Sequence, residues 1–287
     1  MLTELAHALT ARAAPGARRL GLVRESAAIT ARARRLTQQW HPHLAASKAA
    51  IQTFLTRQAG TGPLLIWGAG AGHDLPFDAL ARWPDRVVLA DAVLPLSLRR
   101  RAGRWPHMRL HCGDATGLLG TYAALPDGAA ITVPDPAPLL APIRDMPPPG
   151  AVISLNLLSQ LPRPFVGAPP HDSAASALAR ALIRAHLAAL AALPALVISD
   201  VRLHQGTANK AVDTIPPDLH PPAPQGRITP HASCQTWDWA LAPPGDTTGP
   251  ERLTVMAWRP MEGPDHEAPD HGAKANRMAG ATVSGTG

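Results

Sequence analysis

The sequence predicts an α/β protein: a mostly parallel sheet with helices on both faces and a C-terminal antiparallel hairpin, preceded by an N-terminal helical segment. Three observations carry that reading. From Leu64 onward, short apolar runs alternate with stretches of helical spacing, the order that builds βαβ units. A glycine-rich break, GAGAG at 68–72, follows the first apolar run. The last two strand-like runs flank APPGDTTGPE, a turn-rich linker suited to a hairpin.

Taken in order, the chain opens with a segment in which Leu22, Ile29, Leu36, Trp40, Leu44, Ile51, Phe54 and Leu55 recur at helical spacing. Pro42 interrupts it, which predicts two helices meeting near His41-Pro42-His43. Gly60-Thr61-Gly62-Pro63 then breaks the pattern. Strands are expected at Leu64–Trp67, Arg86–Ala90, Met108–Cys112, Ala151–Leu155 and Leu196–Val201, and helices at Asp74–Arg82, Leu96–Arg104 and Ser173–Leu193. The hairpin strands are Ser233–Leu241 and Arg252–Arg259. Pro134–Pro149 and Ile215–Pro230 are too proline-rich for regular elements and read as irregular surface segments. Past Met261 little remains to bury, so a disordered tail is expected. The organisation is thus a helical segment over 1–58, an α/β domain over 59–262 and a tail over 263–287.

Composition narrows the function classes. A chain of 287 residues holds one α/β domain of about 200 residues with appendages. Its net charge of +6 is concentrated in residues 1–57, where nine Lys or Arg face only Glu4 and Glu25. Without interleaved aromatics or a zinc pattern, that basic stretch reads as a solvated helix face, and no specific nucleic acid is expected as a partner. Only three of the 27 basic residues are Lys, a bias typical of a GC-rich bacterial genome. Cys112 and Cys234 lie in no CxxC pair, which argues against a disulfide framework or a cysteine zinc site. His41, His43, His171, His220 and His231 show no ligand spacing, so no metal is expected. No apolar stretch approaches the ~20 residues of a membrane span, and the start lacks the order of a secretory signal; a cytoplasmic location is expected by default.

The chemistry sits around the glycine break. After an apolar strand, Gly68, Gly70 and Gly72 let the backbone turn tightly and bring its amides close to a ligand. Asp91 ends the second predicted strand 23 positions after Gly68, near the ~20-residue interval at which an acid reaches a ribose in nucleotide-binding folds. Asp114 follows the third strand in HCGDATG, where the acid or its neighbouring amides can meet adenine, or where the Asp simply forms a turn.

At this point the chain resembles the class I S-adenosylmethionine-dependent methyltransferases, which have a Rossmann-like fold, over roughly residues 60–260. The resemblance rests on GAGAG after strand one, Asp91 after strand two, GD after strand three, a polar segment after strand four and the closing hairpin. It implies S-adenosylmethionine as cofactor. It also implies a site at Trp67, Gly68, Ala69, Gly70 and Gly72 for the methionine part, Asp91 and Ala92 for the ribose, Asp114 and Ala115 for adenine, with Asn156 beside them. One departure stands out: the family often carries an acid two residues before the first glycine, where this chain has Ile66. His73 and Asp74 follow the loop and can supply polar contacts to the amino-acid end of the cofactor, although Asp74 serves equally as a helix cap.

Candidates for the chemistry itself lie past strands four and five. Asn156, Ser159 and Gln160 stand in SLNLLSQLP, and Arg202 and His204 follow the fifth strand. Asn156 is the best-placed positioning residue and His204 the nearest base in sequence. SLNL is not the NPPY or DPPY tetrapeptide of enzymes that methylate nucleobase amines, which disfavours that substrate. Trp237 and Trp239, two apart on one strand, share a face suited to packing or to stacking an aromatic substrate. Gln38, Gln39, Trp40, His41 and His43 become substrate contacts if the N-terminal helices cover the cleft. The expectation is a methyltransferase acting on a small molecule or a protein side chain. A non-catalytic binding protein of the same fold is the first alternative. An NAD(P)-dependent oxidoreductase is weaker, since His73 replaces the third glycine of GxGxxG and no Tyr-x-x-x-Lys pair occurs. No motif names the acceptor or sets an oligomeric state.

Overall fold

The computed structural model describes residues 2–58, 61–126, 146–166, 173–206, 209–221, 234–242 and 251–260. The expected tail, nearly all of Pro134–Pro149 and the latter part of Ile215–Pro230 lie outside these residues. The N-terminal segment forms α1 (Leu2–Thr10), a short strand β1 (Arg12–Ala13), α2 (Leu22–Arg35) and α3 (Thr37–Thr56). There follow β2 (Leu64–Trp67), α4 (Phe77–Leu80), β3 (Val87–Asp91), β4 (Val93–Leu94), α5 (Leu96–Ala102), β5 (Met108–Cys112), α6 (Leu119–Ala124) and β6 (Ala151–Leu155). The chain continues through α7 (Arg163–Val166), α8 (Ser173–Ala191), β7 (Ala195–Gln205), β8 (Lys210–Asp213), β9 (Cys234–Ala242) and β10 (Glu251–Trp258).

The sheet runs β5-β3-β2-β6-β7-β10-β9, with β8 paired to the far end of β7. The first five strands are parallel, and β10 and β9 complete it antiparallel. Counting the main strands in chain order gives 3-2-1-4-5-7-6. The central strand β2 is LLIW, buried throughout as a strand covered on both faces must be. Its alternation splits the core: Leu64 and Ile66 pack with Ile51, Phe54, Phe77 and Leu98 on one face, Leu65 and Trp67 with Ile183 and Leu190 on the other. Helices therefore cover both faces, as expected.

Three local expectations are corrected. The N-terminal helices part at Leu36 (φ −105°, ψ 33°), while Pro42 sits inside α3. Proline there removes one donor, to the carbonyl of Gln38, and Gln38 is exposed, so water can take the donor's place. The helix after the glycine loop begins at Phe77 rather than near Asp74. Pro76 is the reason: proline disfavours helical backbone at the residue before it, so Leu75 cannot be helical and Asp74 caps nothing. Finally, Ile215–Pro230 is not wholly irregular, since Pro217–Leu219 forms one 3₁₀ turn. Elements not read from the sequence are the short helices α6 and α7, the β1–β4 ribbon and the β8 edge. Among the described residues, no helix is long and apolar enough to cross a membrane.

Candidate functional site

In an open parallel sheet, ligands collect beyond the carboxyl ends of the strands, at the point where chain order reverses. Here β3 and β5 lie to one side of β2, while β6 and β7 lie to the other. The reversal is between β2 and β6, and a cavity of about 250 Å³ opens there.

The loop after β2 forms its floor. Gly68 has φ +80°, and a Cβ on it would lie 2.0 Å from the carbonyl oxygen of Leu155 at the end of β6. Only glycine fits so close to a neighbouring backbone. From β3, Asp91 reaches back: the Gly70 amide donates to its Oδ2 at 2.7 Å and the Val93 amide to its Oδ1 at 3.0 Å. Burial raises the Asp91 carboxyl above its usual range, opposed by these backbone donors. Ile66, where the resembling family often has an acid, is fully buried in the core. Asp91 makes the contact to the loop instead.

After β5, Asp114 turns its carboxylate into its own loop. The amides of Thr116 and Leu119 donate to it at 2.8 and 2.7 Å, and the Thr116 hydroxyl at 2.7 Å. Its side chain thereby shapes the turn into α6, which sets the adjoining backbone of Ala115 against the cavity. After β6, Asn156 adopts left-handed backbone, φ +48°. Its Nδ2 donates to Asp74 Oδ2, while its Oδ1 is buried without a partner among the described residues.

The roof comes from the N-terminal segment. Leu22, Ser26, Ile29 and Thr30 of α2 and Trp40 of α3 close over the loop, and Trp239 of β9 completes that wall. The α3 helix is fastened to the edge strand by aromatic contacts. Trp40 meets Trp239 edge-on at 4.8 Å between ring centroids, and its Nε1 donates to the Leu241 carbonyl at 3.3 Å. His43, 1% exposed, stacks on Trp239 at 4.0 Å with the planes 5° apart, and its Nδ1 accepts from Trp237 Nε1 at 3.1 Å. Burial lowers His43 to about 3, so its ring is neutral. His73 is lowered as well, by burial first and then by Arg101, Arg34 and Lys48.

All ten residues named for the cofactor, Trp67, Gly68, Ala69, Gly70, Gly72, Asp91, Ala92, Asp114, Ala115 and Asn156, line this one cavity. Gln160 joins them. His204 does not: it faces Thr254 at 3.1 Å in the β7–β10 pairing, away from the cavity. Ser159 is buried against Asp200 at 2.6 Å, and Arg202 pairs with Asp213 at 2.8 Å on the outer edge. Of the N-terminal candidates, Trp40 lines the wall, His43 stands behind it, and Gln38, Gln39 and His41 face solvent. The α2 residues had no signal in the sequence, because an apolar helix face reads alike whether it covers a core or a ligand.

No protein-family model matches the sequence, and no curated protein is similar enough to match it. Among solved structures the chain is similar, at 16% identity and a TM-score of 0.36, to Burkholderia thailandensis 1,6-didemethyltoxoflavin-N1-methyltransferase, over 82% of this chain and 89% of that one. At 16% identity it is similar to the glycopeptide N-methyltransferase MtfA, over 75% and 71% of the two chains with a TM-score of 0.28. At 17% it is similar to an amino pentose methyltransferase of Micromonospora echinaspora, over 77% and 91% with a TM-score of 0.29. By its own strand order, with the glycine loop at the reversal point and the antiparallel pair closing the sheet, this chain has the Rossmann-like fold of the class I methyltransferases.

Proposed function

We propose that the protein is an S-adenosylmethionine-dependent methyltransferase acting on a small molecule. One observation carries the reading: the strand-end residues that the fold offers to such a cofactor converge on a single cavity at the point of chain reversal. The wall also fits the group chemically. Buried Asn156 Oδ1, His73 Nε2 and Trp67 Nε1 have no partner among the described residues, and a ligand with both donors and acceptors satisfies them. The roof of α2 and α3 suits a small acceptor better than a protein side chain.

When bound, S-adenosylmethionine supplies an activated methyl group. The loop of Gly68, Gly70 and Gly72 with Trp67 and Ala69 holds its amino-acid end, Asp91 and Ala92 hold the ribose, and Ala115 and Asp114 border the adenine. The rest of the protein's task is to align the acceptor, exclude water and take up its proton.

Isothermal titration calorimetry with S-adenosylhomocysteine, S-adenosylmethionine and NADH tests this. The two sulfur ligands should bind saturably and NADH should not. Asp91→Ala should weaken S-adenosylhomocysteine by about 10- to 100-fold, the worth of a charged hydrogen bond. Failure of both sulfur ligands to bind overturns the reading.

A further inference from the structure

Asp74 is a carboxylate that the fold does not use. It caps no helix, because α4 starts only at Phe77. Its side chain is 15% exposed and borders the cavity, where it accepts a hydrogen bond from Asn156 Nδ2. Behind it stands His43. Because His43 Nδ1 accepts from Trp237, the proton of the neutral ring sits on Nε2, which lies 3.9 Å from Asp74 Oδ2. That distance is too long for a hydrogen bond, and Nε2 has no other partner among the described residues.

The neighbouring wall says what fills the place. Trp239, with Trp40 meeting it edge-on, gives apolar surface at the cavity. The indole N–H of Trp239 is buried and without a partner among the described residues, and an indole can only donate. Asp74 can only be satisfied from the other side, by a donor. A flat ring that carries both a carbonyl oxygen and an N–H or O–H answers these two groups.

Building on the methyltransferase reading above, we propose that Asp74, held by Asn156 and backed by His43, is the base that takes the proton of a planar acceptor bearing a ring N–H or O–H and seated against Trp40 and Trp239. The acceptor's nitrogen or oxygen forms its bond to the methyl carbon while the carbon–sulfur bond breaks and leaves its electron pair on sulfur. The acceptor's proton passes to Asp74, which releases it to solvent after the product leaves. The groups that set this proton's balance are His43 and Lys48 of α3, His73 beside Asp74 on the loop, and Asn156 after β6; Arg34 and Arg101 act on His73. Burial brings the Asp74 carboxyl up to about 6 against the Asn156 hydrogen bond and Lys48, where a base works near neutral pH, and neutral His43 adds no charge to it.

The test uses the full chain with lumazine and 7-hydroxycoumarin as planar probes, 7-methoxycoumarin as the probe without a proton, and cyclohexylamine as an aliphatic control. With S-adenosylhomocysteine saturating, lumazine or 7-hydroxycoumarin should quench tryptophan fluorescence saturably. In Asp74→Asn that affinity should fall at least tenfold, while 7-methoxycoumarin binds both proteins alike. With methyl-labelled S-adenosylmethionine, at least one planar donor should be methylated, with kcat falling below about pH 6 and kcat at least 100-fold lower in Asp74→Asn. S-adenosylhomocysteine should bind wild type and Asp74→Asn within threefold. If Asp74→Asn loses that binding tenfold or more, Asp74 is a cofactor or structural group and the proposal falls. It falls too if the label passes only to cyclohexylamine or to none of the probes, or if Asp74→Asn keeps its kcat. Failure of S-adenosylhomocysteine to bind the wild type instead overturns the methyltransferase reading itself.

Discussion

The floor of the cavity is held by backbone hydrogen bonds, its roof by side-chain packing. On the floor, Gly68 lies against the backbone of Leu155, Gly70 donates to Asp91, and Asp114 is closed by two amides of its own loop. On the roof, α3 is fixed to β9 by three rings, Trp40, His43 and Trp239, and by two ring N–H bonds from Trp40 and Trp237. Backbone geometry tolerates almost no substitution, whereas aromatic packing tolerates many at moderate cost. A fold that keeps its floor and varies its roof can keep one cofactor and change acceptors.

The largest effect expected from this contrast is on the floor. Gly68→Ala places a methyl group 2.0 Å from the Leu155 carbonyl oxygen at a backbone φ of +80°. Strand β2 or β6 must shift, at a cost of at least about 3 kcal/mol, equivalent to roughly 6–12 °C in Tm. Binding of S-adenosylhomocysteine should vanish with it. Thermal unfolding and calorimetry check both, and a variant that melts within 2 °C of wild type, as a rough threshold, would mean the floor is as plastic as the roof.

That difference also explains what the sequence disclosed. The floor is written in local grammar: an apolar run, glycines at 68, 70 and 72, and an acid ending each of the next two strand-loop units. Each of these residues is dictated by its own backbone, so a reader of the sequence meets them where they act. The strands Leu64–Trp67, Met108–Cys112 and Ala151–Leu155 fall on their expected bounds for the same reason. The roof is different, because Trp40 and His43 matter only through Trp237 and Trp239, some two hundred residues away. Asp74 carried two readings in the sequence, a polar contact at the loop or a helix cap, and Pro76 two residues later removes the second. His204 drew attention as a histidine past a strand end, but β7 is long enough to carry it beyond the cavity.

The second effect lies where floor and roof meet, and its sign is unusual. Asp74 is raised to about 6 in the folded protein from an ordinary 3.8, so the fold prefers it protonated. As pH rises through this window the unfolded chain releases its proton first, and stability is lost until both states are ionised above about pH 6. Asp74→Asn removes that loss. It should be more stable than wild type at pH 8 by about 3 kcal/mol, two units at about 1.4 each, with the gap closing as pH falls toward 4. Urea unfolding midpoints at pH 8 and pH 4.5 measure it. A variant less stable than wild type at pH 8 would make Asp74 a structural partner of Asn156 and not a carboxylate kept for use.

The smallest effect tests the roof alone. Trp237→Phe keeps the ring that packs beside His43 but removes the N–H that fixes its tautomer. The lost hydrogen bond is worth about 1 kcal/mol, part of which returns because Nδ1, freed from its donor, can carry the proton itself. The ring would then turn an acceptor nitrogen toward Asp74, and two acceptors facing one another must recruit a water or a proton. A ¹⁵N spectrum of the histidine side chains should therefore show His43 as the Nε2–H tautomer in wild type and a mixture in Trp237→Phe, with S-adenosylhomocysteine affinity unchanged. If the tautomer stays put, Asp74 and not Trp237 sets it, and the roof is tied to the floor by charge as well as by packing.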